Sequence, residues 1–144
     1  MNRDPDLQIA HLQIWVLDRQ FPESDDYWDG NWLLVSATCE TGTSRVSAEG
    51  PILHLSELDS FREGCNRLAE SLSGESALAC MEPNLHASLS FSDRLGNIAA
   101  AISITPDDLI ETHEFRFDID QSHLPYILRG LNSILEKYPI RSKP

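Results

Sequence analysis

Basic residues are scarce in this sequence. Eleven Lys and Arg stand against 23 Asp and Glu in 144 residues, a formal net charge of −12. Nucleic acid and anionic lipid are bound by exchanging counterions for Lys and Arg, so a chain with this balance repels both. Direct nucleic-acid binding and membrane attachment are therefore not expected, and cationic partners are. Cysteine is sparse as well. Cys39, Cys65 and Cys80 are odd in number and widely spaced, which fits neither a disulfide framework nor a zinc site built on CxxC pairs. Each has apolar neighbours, as buried free thiols do, and a reducing cytoplasm is the expected location. Long apolar runs are missing. The longest uncharged stretch, residues 95–106, has 12 residues, against roughly 18–20 for a bilayer span. The opening Met-Asn-Arg-Asp-Pro-Asp lacks a basic segment followed by an apolar one, so no signal peptide is expected.

Catalytic signatures are also lacking. No GxSxG, P-loop, GxGxxG or HExxH occurs. His11, His54, His86, His113 and His123 form no HxH or HxxxH pair with an obvious carboxylate third ligand. Glu82 and His86 are four apart but fall on either side of an expected turn, which reads better as a chance polar pair than as a metal site. The paired carboxylates Asp25-Asp26 and Asp107-Asp108 sit in polar connections, where solvation keeps an acid ordinary. The expectation is a protein that is not an enzyme, with no catalytic residues, no cofactor and no metal.

What is present is a patterned globular chain, expected to form a single domain over residues 1–144. Apolar and β-branched residues mark strands over 7–17, 32–41 and 44–54, the last broken near Gly50-Pro51 because proline removes a ladder donor. Residues 18–31 form a polar, acidic connection. Leu58, Phe61, Cys65, Leu68 and Leu72 then recur at steps of three and four, a helix capped at Ser56 and stopped at Gly74. Four strands follow, over 76–82, 85–91, 97–105 and 109–119, with Pro83-Asn84 turning the first into the second. A second helix begins near Asp120 or Ser122, carries Leu124, Leu128, Leu131, Leu135 and Tyr138 as its stripe with Ile127 and Ile134 widening it, and ends at Pro139. The order is β-β-β-α-β-β-β-β-α. An α+β fold is expected: an antiparallel sheet of about six to seven strands with both amphipathic helices on one face. No internal repeat or low-complexity tract is visible.

The most informative segment is Phe21-Pro22-Glu23-Ser24-Asp25-Asp26-Tyr27-Trp28-Asp29-Gly30-Asn31-Trp32-Leu33. Glu23, Asp25, Asp26 and Asp29 interleave with Tyr27, Trp28 and Trp32, with no Lys or Arg among them. Aromatic area ringed by carboxylates is what a contact surface for a basic protein uses. The plainer alternative is that the tryptophans plug the end of the core, Trp32 especially, and the acids keep the loop wet. A second acidic zone, residues 107–120, carries six carboxylates against Arg116. Its Glu114 and Asp118 extend the candidate surface unless they only solvate a sheet face. The partner-binding candidates are Glu23, Asp25, Asp26, Tyr27, Trp28, Asp29, Glu114 and Asp118.

The segment from Phe21 to Leu33 resembles the FPES-acidic-Y-D-x-NWL signature of the WapI family of immunity proteins. Met81-Glu82-Pro83-Asn84-Leu85 looks like that family's EPNL element, and Tyr138-Pro139-Ile140-Arg141 is similar to its aromatic-Pro-x-Arg end. Trp28 departs from the pattern, standing where an acidic or polar residue is expected. The resemblance covers nearly the whole chain. It implies a cytoplasmic antidote that neutralises a toxic nuclease domain, typically one cleaving tRNA, carried at the end of a large secreted or surface protein. It supplies no catalytic residues. The expected partner is thus a basic toxin domain, the expected state a monomer or weak homodimer, and the alternative a general interaction module with a non-nuclease partner.

Overall fold

A computed structural model describes residues 2–142. Eight strands and two helices follow the order β-β-β-β-α-β-β-β-β-α. The strands are β1 (Leu7–Ile9), β2 (Leu12–Arg19), β3 (Trp32–Glu40), β4 (Arg45–His54), β5 (Glu75–Ala79), β6 (Leu85–Phe91), β7 (Asn97–Ile104) and β8 (Glu114–Asp120). The helices are α1 (Leu55–Ser71) and α2 (Leu124–Lys137). The α+β class is as expected; the sheet is not. Two four-stranded antiparallel sheets form, ordered β1-β2-β3-β4 and β5-β6-β7-β8, in place of one sheet of six or seven.

Two local causes account for the difference. The expected strand over 7–17 folds back on itself at Ala10-His11, pairing Ile9 with Leu12, with Ala10 at φ 53° and no Gly or Asn to signal the turn. β4 is an edge strand, and Pro51 within it has no N–H to offer a further neighbour, so the first sheet stops there. The irregularity anticipated at Gly50-Pro51 is a bulge: the register against β3 shifts between Leu33 and Leu34, and Gly50 takes φ 146°.

The helices do not lie together on one sheet face. α1 runs along β5, α2 runs along β1, and the two helices pack on each other. Each helix therefore covers the first strand of the other β4α unit. The match extends to sequence spacing. Leu58, Phe61, Gly64, Cys65 and Leu68 in α1 are buried, or, for the glycine, in contact, at the same intervals as Leu124, Ile127, Gly130, Leu131 and Ile134 in α2. A Cβ on Gly64 would lie 2.1 Å from Ser76 Oγ on β5, and one on Gly130 would lie 2.8 Å from the Asp6 carbonyl oxygen beside β1. The missing side chain lets helix and strand approach in both halves. The repeat includes some residue identity between the helices, since Ser56, Leu58, Gly64, Asn66 and Glu70 recur 66 residues on as Ser122, Leu124, Gly130, Asn132 and Glu136, a likeness missed at sequence level. The buried faces of both sheets and both helices form one continuous apolar cluster.

Helix ends also depart from expectation. His54, not Ser56, caps α1: its imidazole accepts from Ser56 N while Glu57 reaches back to His54 N. At the other end Leu72, two residues before Gly74, takes the left-handed position, at φ 53°. Asp120 caps a short 3-10 turn (Gln121–His123) that leads into α2. The deeply buried stripe of α2 is Leu124, Ile127, Leu131 and Ile134, while Leu128, Leu135 and Tyr138 are half-buried at its margin.

Candidate partner-binding site

The acidic-aromatic segment is an ordered loop between β2 and β3. Its inner wall is held by three buried or half-buried polar side chains. Asn31, fully buried, donates to the carbonyls of Tyr27 (2.7 Å) and Arg141 (2.9 Å) and accepts from Arg141 N (2.9 Å). Arg19 donates to the carbonyls of Gly30 (2.7 Å) and Pro139 (2.6 Å). Arg141 donates to the carbonyls of Pro22 (2.7 Å) and Ser24 (2.8 Å), and Ser142 donates to that of Asp25. Burial lowers the pKa of Arg19, and nearby Arg141 adds to the effect, so these carbonyl dipoles take the place of water around a desolvated cation. Gly30 is required by space, since a Cβ would lie 2.5 Å from the Ser24 carbonyl. The Phe-Pro-Glu-Ser and Asn-Trp-Leu ends of the loop are thereby joined to the Tyr-Pro-Ile-Arg segment, which the sequence places more than a hundred residues away.

Above this clamp sits an aromatic group centred on His54, which is fully buried. Trp28 stacks on it at 5.4 Å between ring centroids and 30° between planes, and Trp32 and Tyr27 approach edge-on at 5.1 and 5.5 Å. His54 Nε2 is 3.2 Å from the Trp28 carbonyl, an acceptor, so that nitrogen carries the proton and Nδ1 accepts from Ser56. Glu57 continues the network. Its two carboxylate oxygens accept from His54 N (2.8 Å) and Met81 N (2.6 Å), tying α1 to the Met-Glu-Pro-Asn-Leu turn. Burial raises the Glu57 pKa against the opposing pull of those two donors. In that turn Asn84 Nδ2 donates to the Thr105 carbonyl at 2.9 Å. All three motif segments are thus knitted by main-chain acceptors and buried polar groups.

The outward side of the loop is different. Glu23, Asp25, Asp26 and Asp29 are exposed, and no described ion pair neutralises any of them. Asp26 accepts from Asp29 N at 2.8 Å, which shapes the turn without covering its charge. Trp28 leaves 51% of its surface open, Tyr27 is half-buried and Trp32 is buried. The eight candidates do not form one patch. Glu114 and Asp118 are exposed on β8, whose Phe117 stacks at 4.4 Å on His11 near the Glu40 end of β3. The Trp28 loop joins the Trp32 end of that nine-residue strand, so about 26 Å of strand separates the two groups.

The residues missed at sequence level are Arg19, Asn31, His54, Glu57 and Arg141. One signal was available: Glu57 lies three residues after His54, the spacing of a capping box with histidine in the capping position. Burial pushes the thiols of Cys39 and Cys65 up to about 11 and about 12, and that of Cys80 higher still. Among the described residues no group of three or more His, Cys, Asp or Glu is placed to hold a metal, and no helix is long and apolar enough to cross a membrane.

Four of the buried polar side chains of this α+β scaffold, Arg19, Asn31, His54 and Glu57, lie in the network that shapes one acidic, aromatic loop. Residues 6–139 match the family described as the immunity protein WapI-like family. The chain belongs to this family of immunity proteins, as the three motif segments implied. No curated protein matches it. Among solved structures it is similar to a chain of the CdiA-CT/CdiI toxin and immunity complex from Enterobacter cloacae, with 14% identity, a TM-score of 0.44, and coverage of 71% of this chain and 89% of that one. It is also similar to a chain of a guideRNA-binding protein complex bound to a gRNA, with 16% identity, a TM-score of 0.45, and coverage of 94% and 87%.

Proposed function

We propose that this chain is a cytoplasmic, non-enzymatic antidote that binds a basic toxin domain, a tRNA-cleaving nuclease, one to one. Membership of the immunity family carries the reading, and the charge distribution gives it a mechanism. A ribonuclease must offer positive potential to phosphates, and a protein of net charge −12 with unneutralised carboxylates around a half-exposed tryptophan complements such a surface. The contact set is Glu23, Asp25, Asp26, Tyr27, Trp28 and Asp29 at one end, and Glu114 and Asp118 at the other. Complementary charge lifts association rates from about 10⁵–10⁶ to about 10⁸–10⁹ M⁻¹s⁻¹ at low salt, which suits an antidote that must arrive before damage accumulates.

Co-expression with the toxin domain encoded beside this chain's gene is the test. Growth is expected to be restored, with affinity falling steeply as salt rises. Unrestored growth would remove the reading. A second reading, an interaction module with a non-nuclease partner, draws on the open face of Trp28. It predicts binding that is nearly independent of salt and led by Trp28 and Tyr27.

A further inference from the structure

We infer that the outer edge of β8 is a strand-pairing site for an extended, basic segment of the partner. The inference rests on the antidote reading and adds how one end of the protein is recognised. β8 is the last strand of its sheet and pairs with β7 alone. Two main-chain bonds fix its phase: Ile104 N donates to the His113 carbonyl at 3.2 Å, and Gln121 N donates to the Gly96 carbonyl at 2.9 Å. Hydrogen-bonded pairs alternate in an antiparallel ladder, so Phe115, Phe117 and Ile119 spend their main-chain groups on β7. The N–H and C=O groups of Glu114, Arg116 and Asp118 point to the open side. None of the six has a partner among the described residues, and all three residues are exposed.

Edges of this length are ordinarily blunted by proline, a bulge or a covering element. The other three edges follow that rule. β4 carries Gly50-Pro51, β1 is three residues long and lies along α2, and β5 lies along α1. β8 has seven residues, no proline and a regular register, and no described strand pairs with its outer side, although Arg45 and Val46 of β4 and the Ala10-His11 turn flank it.

The side chains define the occupant. Glu114 and Asp118 stand on the outer face beside the open main-chain groups, with Glu111 and Asp120 at the two ends and Arg116 between. On the inner face the half-exposed rings of Phe115 and Phe117 lie parallel, 6.2 Å apart, with His11 on Phe117. An incoming strand therefore meets carboxylates with one set of alternate residues and aromatic rings with the other. A segment alternating Lys or Arg with apolar residues fits, and main-chain pairing supplies affinity that does not depend on its other residues.

Amide hydrogen exchange of the full chain tests this, measured alone and with the toxin domain encoded by the adjacent gene. Slowed exchange at Glu114, Arg116 and Asp118 on toxin addition is expected, with Phe115 and Phe117 protected already in the free protein. Arg116→Pro and Asp118→Pro each remove one outward N–H and no bond to β7, so the fold should survive and toxin affinity should fall by roughly tenfold or more. Arg116→Ala should bind as well as the original or better, since it keeps the main chain and removes a like charge. If toxin binds while those three amides exchange unchanged, strand pairing is wrong and the antidote reading stands. If toxin does not bind the unaltered chain, both fail. Slowing that appears in the free protein as its concentration rises makes a second copy of this chain the occupant and overturns the assignment.

Discussion

The two β4α units share a plan and differ in which turn is elaborated. In the first unit the β2–β3 connection covers residues 20–31 and the β3–β4 turn only 41–44. In the second, the β6–β7 link is short, 92–96, and the β7–β8 loop is long, 105–113. The long loop of the first unit turns its main chain inward onto Arg19, Asn31 and Arg141. That of the second turns outward: a single turn closed by Asp107 leaves Leu109 and Ile110 at 89% and 79% exposure. One scaffold thus carries a clamped surface that displays side chains and, across the molecule, an open edge that displays main chain. The frame common to both units is set by helix-to-strand contacts, and what differs lies in turns, where change disturbs little packing.

The sharpest way to break the comparison is at the clamp. Asn31→Ala leaves four hydrogen bonds unmade in a buried place and should cost about 2–4 kcal/mol, read from urea unfolding; a loss near zero would mean the loop does not depend on its clamp. The shared frame comes next. Gly130→Ala drives a Cβ onto the Asp6 carbonyl and should cost about 1–3 kcal/mol. Gly64→Ala meets a side chain instead, so Ser76→Gly in the same molecule should return much of the loss. Failure of that rescue would show that the two helix-strand contacts are not equivalent. Trp28→Ala should weaken toxin binding by about 30-fold while changing stability by only about 1 kcal/mol; the reverse pattern would make Trp28 a plug and leave binding to the β8 end.

The smallest effect is that of pH on Glu57. Its folded pKa lies above the ordinary glutamate value because burial outweighs the two backbone donors. The native state therefore holds the proton more tightly than the unfolded chain. Its contribution is complete below the unfolded pKa and is lost as pH rises through the folded one. The stability of the original protein minus that of Glu57→Gln should decline across that window, and a flat or rising difference would contradict the assignment.

Much of the frame was legible. β6 and β7 were readable because Leu85, Ala87, Leu89 and Phe91, and then Ile98, Ala100, Ile102 and Ile104, alternate without interruption. Both helices announced themselves by their stripes. The division into two sheets was not legible, because alternation reports which side of a strand is buried and says nothing about its neighbours. The Ala10-His11 reversal was hidden for a second reason: alanine at positive φ is paid for by the hairpin's packing and leaves no mark of its own. The acidic loop was visible as composition, and its separation from Glu114 and Asp118 was not, since the length of β3 sets that distance. Arg19, Asn31 and Arg141 look like surface residues in sequence, and only the carbonyls that converge on them from three segments bring them inside.

The tie between Arg141 and the carbonyls of Pro22 and Ser24 has a consequence for the order of events during synthesis. The acidic loop emerges from the ribosome more than a hundred residues before the arginine that locks it. A chain halted before that arginine carries every carboxylate of the loop and lacks the brace that holds them in place. The loop would then take its fixed shape only as translation reaches the clamp.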